Sequence, residues 1–550
     1  MIVAGCVSAA VYVAIAVLSR QFIYGSTHAE RPILMVLGLL ALLFVLYLAA
    51  LWAAVRSGES RRLLGVIVLG SVLMRLVLVF SWPIQEVDIY RYLWDGEVAA
   101  HGESPFRYSP KQVLDADADG LLPAELGRLV ELRDSSPAVA TILSRVHYEE
   151  LPTIYPPVSQ AVFAFCSLIT PQGATVFPRL AIMKGCFVLF DLGTLAVVIG
   201  LLRIAGRHIG WSLAYGWCPL VVKEIAGSGH LDAIAVFLTS AAVWIIASAL
   251  FRKTSSRTAG LGLLAAAVLG LAVGAKLYPI VLAPLFAATW IGRFGWRRTI
   301  AGAVVFTTVV ALLLWPMMPT DSSVPDTSSA ILSVGMDPQG PGRSLKAFFG
   351  RWEMNDFLFM LVVENVKPDG GRPSEERPWF AVVPDAWRTN LVERPTVWFG
   401  VDAAAAAFLL TRIVTSAVFL VVLGVLAWHA AGSRESVDWL RSAFLTIAWF
   451  WLLSPTQNPW YWIWAMPLVV FARSRVWLAV SGLVLVYYLR FWLDYHWPDG
   501  AVPDVSVPGI GYSGSLTFDY VVTWVEFAPW FALLAFSWAY RRFGRIASSQ

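Results

Sequence analysis

A run of about 20 mainly apolar residues is what a helix needs to cross a bilayer, and this 550-residue chain presents thirteen such runs. They fall near 2–19, 33–55, 63–82, 181–202, 231–251, 259–275, 277–292, 299–316, 404–430, 440–453, 460–472, 476–492 and 520–540. Two shorter runs, 158–170 and 209–223, are ambiguous. The composition agrees: 58% of residues are hydrophobic and 14% charged, against about 45–50% and 25% in soluble domains. Lipid is therefore the solvent for much of the chain.

Basic residues in the short connections set an orientation. Arg56, Arg61 and Arg62, then Arg252, Lys253 and Arg257, then Arg293, Arg297 and Arg298 lie between apolar runs, and the series continues to Arg541, Arg542 and Arg545. Placing them in the cytoplasm puts two long loops, about 83–157 and 317–403, outside. It also requires an odd number of crossings between residue 157 and Arg252, where four runs occur. One short run must fail to span. Residues 211–222 give only about 18 Å of helix, against a hydrocarbon core of about 30 Å. Such a half-length or re-entrant piece is tolerated where protein encloses it. The expected fold is an all-α polytopic membrane protein of about 14 transmembrane helices. Both termini lie inside, and amphipathic helices occupy the two outer loops, at 86–100, 122–147 and 343–363. The apolar N-terminus has no preceding basic region, which reads as a retained first span rather than a signal peptide.

Other classes are disfavoured. A net charge of +4 with no basic cluster outside short loops gives no footing for nucleic acid. Cys6, Cys166, Cys186 and Cys218 form no CxxC pair and read as core residues. Asp115, Asp117 and Asp119 alternate but lack the glycine and terminal glutamate of a calcium loop. No cofactor is required on this reading, and a divalent metal, though compatible, is not indicated.

Chemistry concentrates where the third run ends. In Gln85-Glu-Val-Asp88-Ile-Tyr-Arg91-Tyr92-Leu-Trp-Asp95-Gly96, a helix would put Asp88, Arg91, Tyr92 and Asp95 on one polar face at the lipid phosphate level. A carboxylate there can take the proton of an attacking hydroxyl, and an arginine can pair with phosphate. The plain alternative is an interfacial helix whose charges face water. Lys276, followed by Tyr278 and Pro279, suits a phosphate, or is a lysine snorkelling from a helix end. Arg343 and Lys346, or Arg490, are further candidates. Arg75, Lys184, Asp191, Lys223, Glu224 and Arg412 fall within apolar segments, where such groups face a cavity or one another. His230 and Asp232 would bind an acceptor, orient Asp88, or be satisfied within the bundle. Trp460, Tyr461, Trp462 and Trp464 would stack on sugars or form an interfacial belt.

The stretch Asp88-Ile-Tyr-Arg-Tyr-Leu-Trp-Asp-Gly96, followed by Ser104-Pro-Phe-Arg-Tyr108, resembles the first outer loop of bacterial GT-C glycosyltransferases, in particular polyprenol-phosphate-mannose-dependent mannosyltransferases. Tyr155-Pro-Pro157, Gly229-His-Leu-Asp232, Lys276-Leu-Tyr-Pro279 and Ser454-Pro-Thr-Gln-Asn-Pro-Trp-Tyr461 follow in order. The resemblance covers about residues 63–475. It implies a GT-C-type helical bundle with residues 1–62 as an added N-terminal transmembrane hairpin. Residues 63–316 form the catalytic module including the first outer loop 83–157, residues 317–403 the second outer loop, and residues 404–550 the C-terminal helices. It implies Asp88 as general base, with Arg91, Tyr92, Asp95, Tyr155, His230, Asp232, Lys276, Tyr278, Gln457, Asn458 and Arg343 as substrate-binding residues. A hexose, expected to be mannose, passes from a polyprenyl phosphate to a glycan or glycolipid acceptor, on the outer face of a bacterial plasma membrane. A secondary transporter or lipid flippase would also explain many spans and intramembrane charges, but two related halves with broken helices are not evident. A polymerase or ligase moving whole glycans is a third reading.

Overall fold

The computed structural model describes residues 1–117, 122–251, 258–318, 352–499, 502 and 511–547. Among them, nine helices are long and apolar enough to cross a membrane. Shorter apolar helices lie at Pro157–Ile169, Gly260–Ala275 and Tyr278–Phe294. Length and composition thus give a multi-pass helical bundle and leave the expected count of about 14 crossings unestablished.

The N-terminal half runs as α1 (Ile2–Leu18), α2 (Ile33–Arg56), α3 (Arg61–Val79) and α4 (Asp88–Ala100). Three short helices follow: α5 (Pro110–Asp115), α6 (Ala124–Asp134) and α7 (Pro137–Leu143). Next come α8 (Pro157–Ile169) and the long α9 (Val176–Ile204). Local chemistry explains the starts. Ser60, Ser109 and Ser136 each accept the backbone N–H three residues on, and Pro110 and Pro137 sit in the first turn, where no donor is missed. The helical spacing at 86–100 and 122–147 is realised as α4, α6 and α7. Of the expected piece 343–363, the described part contains the helix Leu358–Val363.

The polar face of α4 does not look out to water. Arg91, Tyr92, Asp95 and Glu97 are buried. Gly96 lets α4 lie against α8: a Cβ there would stand 2.6 Å from the Phe163 carbonyl oxygen. The Glu97–Arg179 ion pair ties α4 to α9.

The two runs that the sequence leaves ambiguous take different courses. Ile209–Ser228 begins at the α2–α3 connection, where Glu59 accepts the Ile209 N–H at 2.6 Å. It ends at Gly229, which packs on Ile89 of α4 with φ 79°, a left-handed conformation that glycine adopts freely. The segment therefore runs the whole depth of α3, although its 211–222 core is too short for a regular span. It does so as pieces, Ile209–Ser212, Leu213–Gly216, Pro219–Val221 and the wider-wound Val222–Ser228. Pro219 breaks the ladder. Side chains from neighbouring helices fill the gaps: Tyr47 donates to the Ala214 carbonyl at 2.9 Å and Arg75 to that of Gly216 at 2.6 Å. By contrast, α8 leaves and returns at one end of the bundle. Ser159 near its start bonds the Ala275 carbonyl at 2.8 Å. The turn after it leads to Phe177, whose ring packs 5.1 Å from Trp82, just past the end of α3. The run at 158–170 thus begins and ends at one end of the bundle.

Charges within the bundle find partners. Arg75 pairs with Asp191, which also accepts the Tyr215 hydroxyl at 2.5 Å. Lys184 donates to the Leu78 and Ser81 carbonyls at 2.7 and 2.8 Å, closing the C-terminal end of α3.

Candidate active site

The loop between α3 and α4 is fastened before it delivers Asp88. Ser19 accepts the Trp82 N–H at 3.0 Å, and Lys184 holds Ser81. Gln85, at φ 68°, donates to Tyr495 and accepts from Arg31 at 3.4 Å. Residues of the N-terminal hairpin therefore brace the loop from one side. Asp88 then occupies the first turn of α4, where the helix dipole favours negative charge. Its carboxylate is partly exposed and is engaged in no hydrogen bond among the described residues. Its charge acts on Lys276 and on the phenols of Tyr92, Tyr148, Tyr155, Tyr461 and Tyr487. Two of these, Tyr148 and Tyr487, carried no signal in the sequence reading.

The other predicted residues separate into two groups. Arg91 and Asp95 brace α4. Arg91 donates to the His147 and Tyr148 carbonyls at 3.2 and 2.8 Å. Asp95 accepts from Gln160 at 3.1 Å, and burial pushes its carboxyl above the usual range against the opposing charge of Arg91. Tyr92 is buried, stacked on Phe163 at 4.9 Å, with Tyr155 edge-on at 5.0 Å.

The second group forms a wall. Lys276 donates to Asp232 at 2.7 Å, and Trp464 donates to the same oxygen at 2.5 Å. The Lys276 ammonium lies 4.4 Å from the Tyr461 ring centre. Tyr278, Trp464 and Tyr461 stack in series at 4.2 and 4.4 Å. His230 stacks on Trp460 at 4.1 Å, with Nε2 3.3 Å from Glu224. Glu224 also pairs with Lys223 at 3.2 Å and accepts the Tyr488 hydroxyl at 2.8 Å. Trp462 is different: it is fully buried against Trp451 and Trp477. Gln457 and Asn458 lie beside residues 354–355, since the Gln457 N–H donates to the Met354 carbonyl at 2.8 Å and Asn355 donates to the Gln457 carbonyl at 3.2 Å. Among the described residues, buried side-chain atoms without a hydrogen-bond partner here include His230 Nδ1, Asp232 Oδ2, Gln457 Oε1 and Asn458 Oδ1. A buried polar atom left unpaired costs about 1–3 kcal/mol, so such atoms call for water or ligand hydroxyls. Arg490 pairs with Asp519 at 3.2 Å. Arg343 and Lys346 lie outside the described residues.

The charges of Asp88, Lys223 and Glu224 all act on Glu86. Burial, then the charge of Asp88, push its carboxyl well above the usual carboxylate range, with Lys223 opposing. Its Oε1 is buried and has no hydrogen-bond partner among the described residues. Burial thus favours the protonated form of Glu86, and raising the pH through its elevated pKa creates a second negative charge beside Asp88. In an assayed transfer reaction, Glu86→Gln is expected to keep the neutral-pH rate within about tenfold and to weaken the alkaline fall in rate. A pH–rate profile of parent and variant checks this; an unchanged alkaline limb rejects the assignment.

Comparison with known proteins adds the chemistry. No curated protein matches this sequence. One solved structure that is similar is the oligosaccharyltransferase of Archaeoglobus fulgidus in its apo form, at 14% identity and a TM-score of 0.35, covering 82% of this chain and 55% of that one. The chain thus spans little more than half the length of that protein. The family of alpha-(1->6)-mannopyranosyltransferases, by the profile of its N-terminal domain, matches residues 1–292, just over half of the 550 residues, and takes in α1 to α9, Asp88, Asp232 and Lys276. This chain belongs to the alpha-(1->6)-mannopyranosyltransferase family.

Proposed function

We propose that the protein transfers a mannosyl residue from a polyprenyl phosphate to a hydroxyl of a mannose-containing glycan or glycolipid, at the outer face of the plasma membrane, with Asp88 as general base. The observation that carries the reading is the unbonded Asp88 carboxylate, opposite a wall that combines Lys276 and Asp232 with stacked aromatic rings. In the reaction, the acceptor oxygen forms a bond to the anomeric carbon as its proton passes to Asp88. The bond from that carbon to the phosphate oxygen breaks, and the electron pair leaves with the polyprenyl phosphate. One base on the attacking side suffices for this displacement, unlike hydrolysis by two flanking carboxylates. The leaving phosphate needs positive charge more than a proton, and Lys276 supplies it. The unpartnered Asp232 Oδ2, Asn458 Oδ1 and Gln457 Oε1 are acceptors suited to sugar hydroxyls. The basic connections between apolar runs support the outward orientation.

The test is to incubate the purified protein with a panel of polyprenyl-phosphate sugars and octyl α-mannoside, followed by mass analysis. The expected product is the mannoside extended by one hexose, from the mannosyl donor alone. Extension from a nucleotide sugar in the absence of any lipid donor, or transfer of a whole oligosaccharide, overturns the reading.

A further inference from the structure

Gln85 holds a backbone conformation that suits glycine. Its φ is 68°, in the left-handed region that a long side chain avoids. Such backbone persists only where the surrounding structure over-determines it, and it gathers at functional sites. Glycine would adopt the same φ without strain. The glutamine amide therefore supplies something that glycine cannot.

That amide is two-ended, and both ends are engaged. Its oxygen accepts from Arg31 at 3.4 Å, and its nitrogen donates to the Tyr495 hydroxyl. The two jaws come from opposite ends of the chain. Arg31 stands in the connection between α1 and α2 and is steadied by a bond to the Ser26 hydroxyl at 3.2 Å. Tyr495 lies on the helix Leu489–His496, with its ring stacked on His28 at 4.8 Å. That helix is seated on the start of the last span. The Gly514 N–H donates to the Trp497 carbonyl at 2.8 Å, and a Cβ on Gly514 would stand 2.2 Å from the Leu493 carbonyl oxygen. Gln85 itself is buried between the jaws.

Three residues on, Asp88 opens α4. Val87, at the cap position, supplies no side-chain hydrogen bond, although Ser, Thr, Asp or Asn there would fix the start of the helix. Upstream, the loop is pinned at Ser81 and Trp82. Between Trp82 and Asp88 the fastening falls to Gln85.

We propose that Gln85 is a positioning residue: clamped between Arg31 and Tyr495, it sets the backbone entering α4 so that Asp88 meets the acceptor hydroxyl in line. The proposal rests on the transferase reading above. A reacting group misplaced by about 1 Å can cost about 10² in rate, which is reason enough for a strained residue to be kept. The matched N-terminal domain ends at residue 292, so the C-terminal helices, through Tyr495, serve the chemistry of that domain.

The full-length protein in detergent is used for the test, with a short-chain polyprenyl phosphomannose as donor and octyl α-mannoside as acceptor. Tyr495→Phe keeps the ring on His28 and removes only the hydroxyl. Gln85→Met keeps length and burial and removes both bonds. Each is expected to lower kcat by about tenfold to a hundredfold while donor and acceptor KM stay within about twofold of the parent's. The double variant should lose no more than Gln85→Met alone, because the two changes act through one bond. Parent-like kcat in Tyr495→Phe, or losses that add in the double variant, overturns the clamp. Tyr495→Phe decides the matter by itself should Gln85→Met fold poorly. Hydrogen exchange over residues 83–90 separates the two readings. Should the parent transfer no sugar, exchange there about tenfold faster in Tyr495→Phe leaves the clamp standing while the transfer reading falls. Unchanged exchange in that case overturns the clamp as well.

Discussion

Asp88→Asn should lower kcat for mannosyl transfer by about 10²–10⁴, the usual contribution of a positioned general base, equivalent to roughly 3–5 kcal/mol of barrier. Asparagine is close in shape, and Asp88 is engaged in no hydrogen bond among the described residues, so the substitution breaks none of their bonds. The variant should elute and melt as the parent does, and donor binding should persist because Lys276, the proposed phosphate partner, keeps its bond to Asp232. Asp88→Ala should be equally slow. Steady-state kinetics on the purified variants decide it: full activity in either removes Asp88 as the base. A loss of activity accompanied by a collapsed melting curve would point to structure instead of chemistry.

The second large effect is on stability. Arg75 and Asp191 are fully buried, and each makes further bonds, Arg75 to the Ser71 and Gly216 carbonyls at 3.0 and 2.6 Å and Asp191 from Tyr215 at 2.5 Å. Removing one partner leaves an uncompensated charge in a medium that solvates it poorly. Asp191→Leu alone is therefore expected to cost about 3–5 kcal/mol, whereas an apolar pair at both positions is often close to neutral. Thermal unfolding in detergent should show a marked drop for Asp191→Leu and for Arg75→Met, and recovery of most of it in the double variant. Additive losses in the double variant would show that the two residues matter separately and not as a pair. Because Arg75 also holds the Gly216 carbonyl, incomplete recovery should be traceable to that bond.

Much of this was legible in the sequence because its causes are local or periodic. Apolar runs of sufficient length mark the spans, and the helical spacing at 86–100 marks α4. The motif residues His230, Asp232, Lys276 and Tyr278 do converge, through Trp464 and Glu224, on the end of the bundle that carries Asp88. The direction in which α4 faces was not legible. A polar face at i, i+3, i+4 and i+7 looks the same whether it meets water or a buried glutamine and two backbone carbonyls, as Asp95 and Arg91 do. The depth of Ile209–Ser228 was hidden for a related reason. Residues per ångström assumes a regular helix, and the groups that make an irregular one viable, Tyr47 and Arg75, come from α2 and α3. Tyr148 escaped notice because a left-handed φ on a tyrosine has no sequence signature, and its neighbour Trp352 comes from a distant part of the chain.

The broken segment Ile209–Ser228 also constrains how the protein is made. A stretch with an interrupted hydrogen-bond ladder cannot be released into lipid by itself, since its free carbonyls would face hydrocarbon. During synthesis it must wait in the insertion machinery until Tyr47, Arg75 and the following helix Asp232–Phe251 can enclose it. Biogenesis of this half of the chain is then a concerted event, and a ribosome stalled just after residue 228 should leave a nascent chain that proteases and quality-control factors recognise as unfinished.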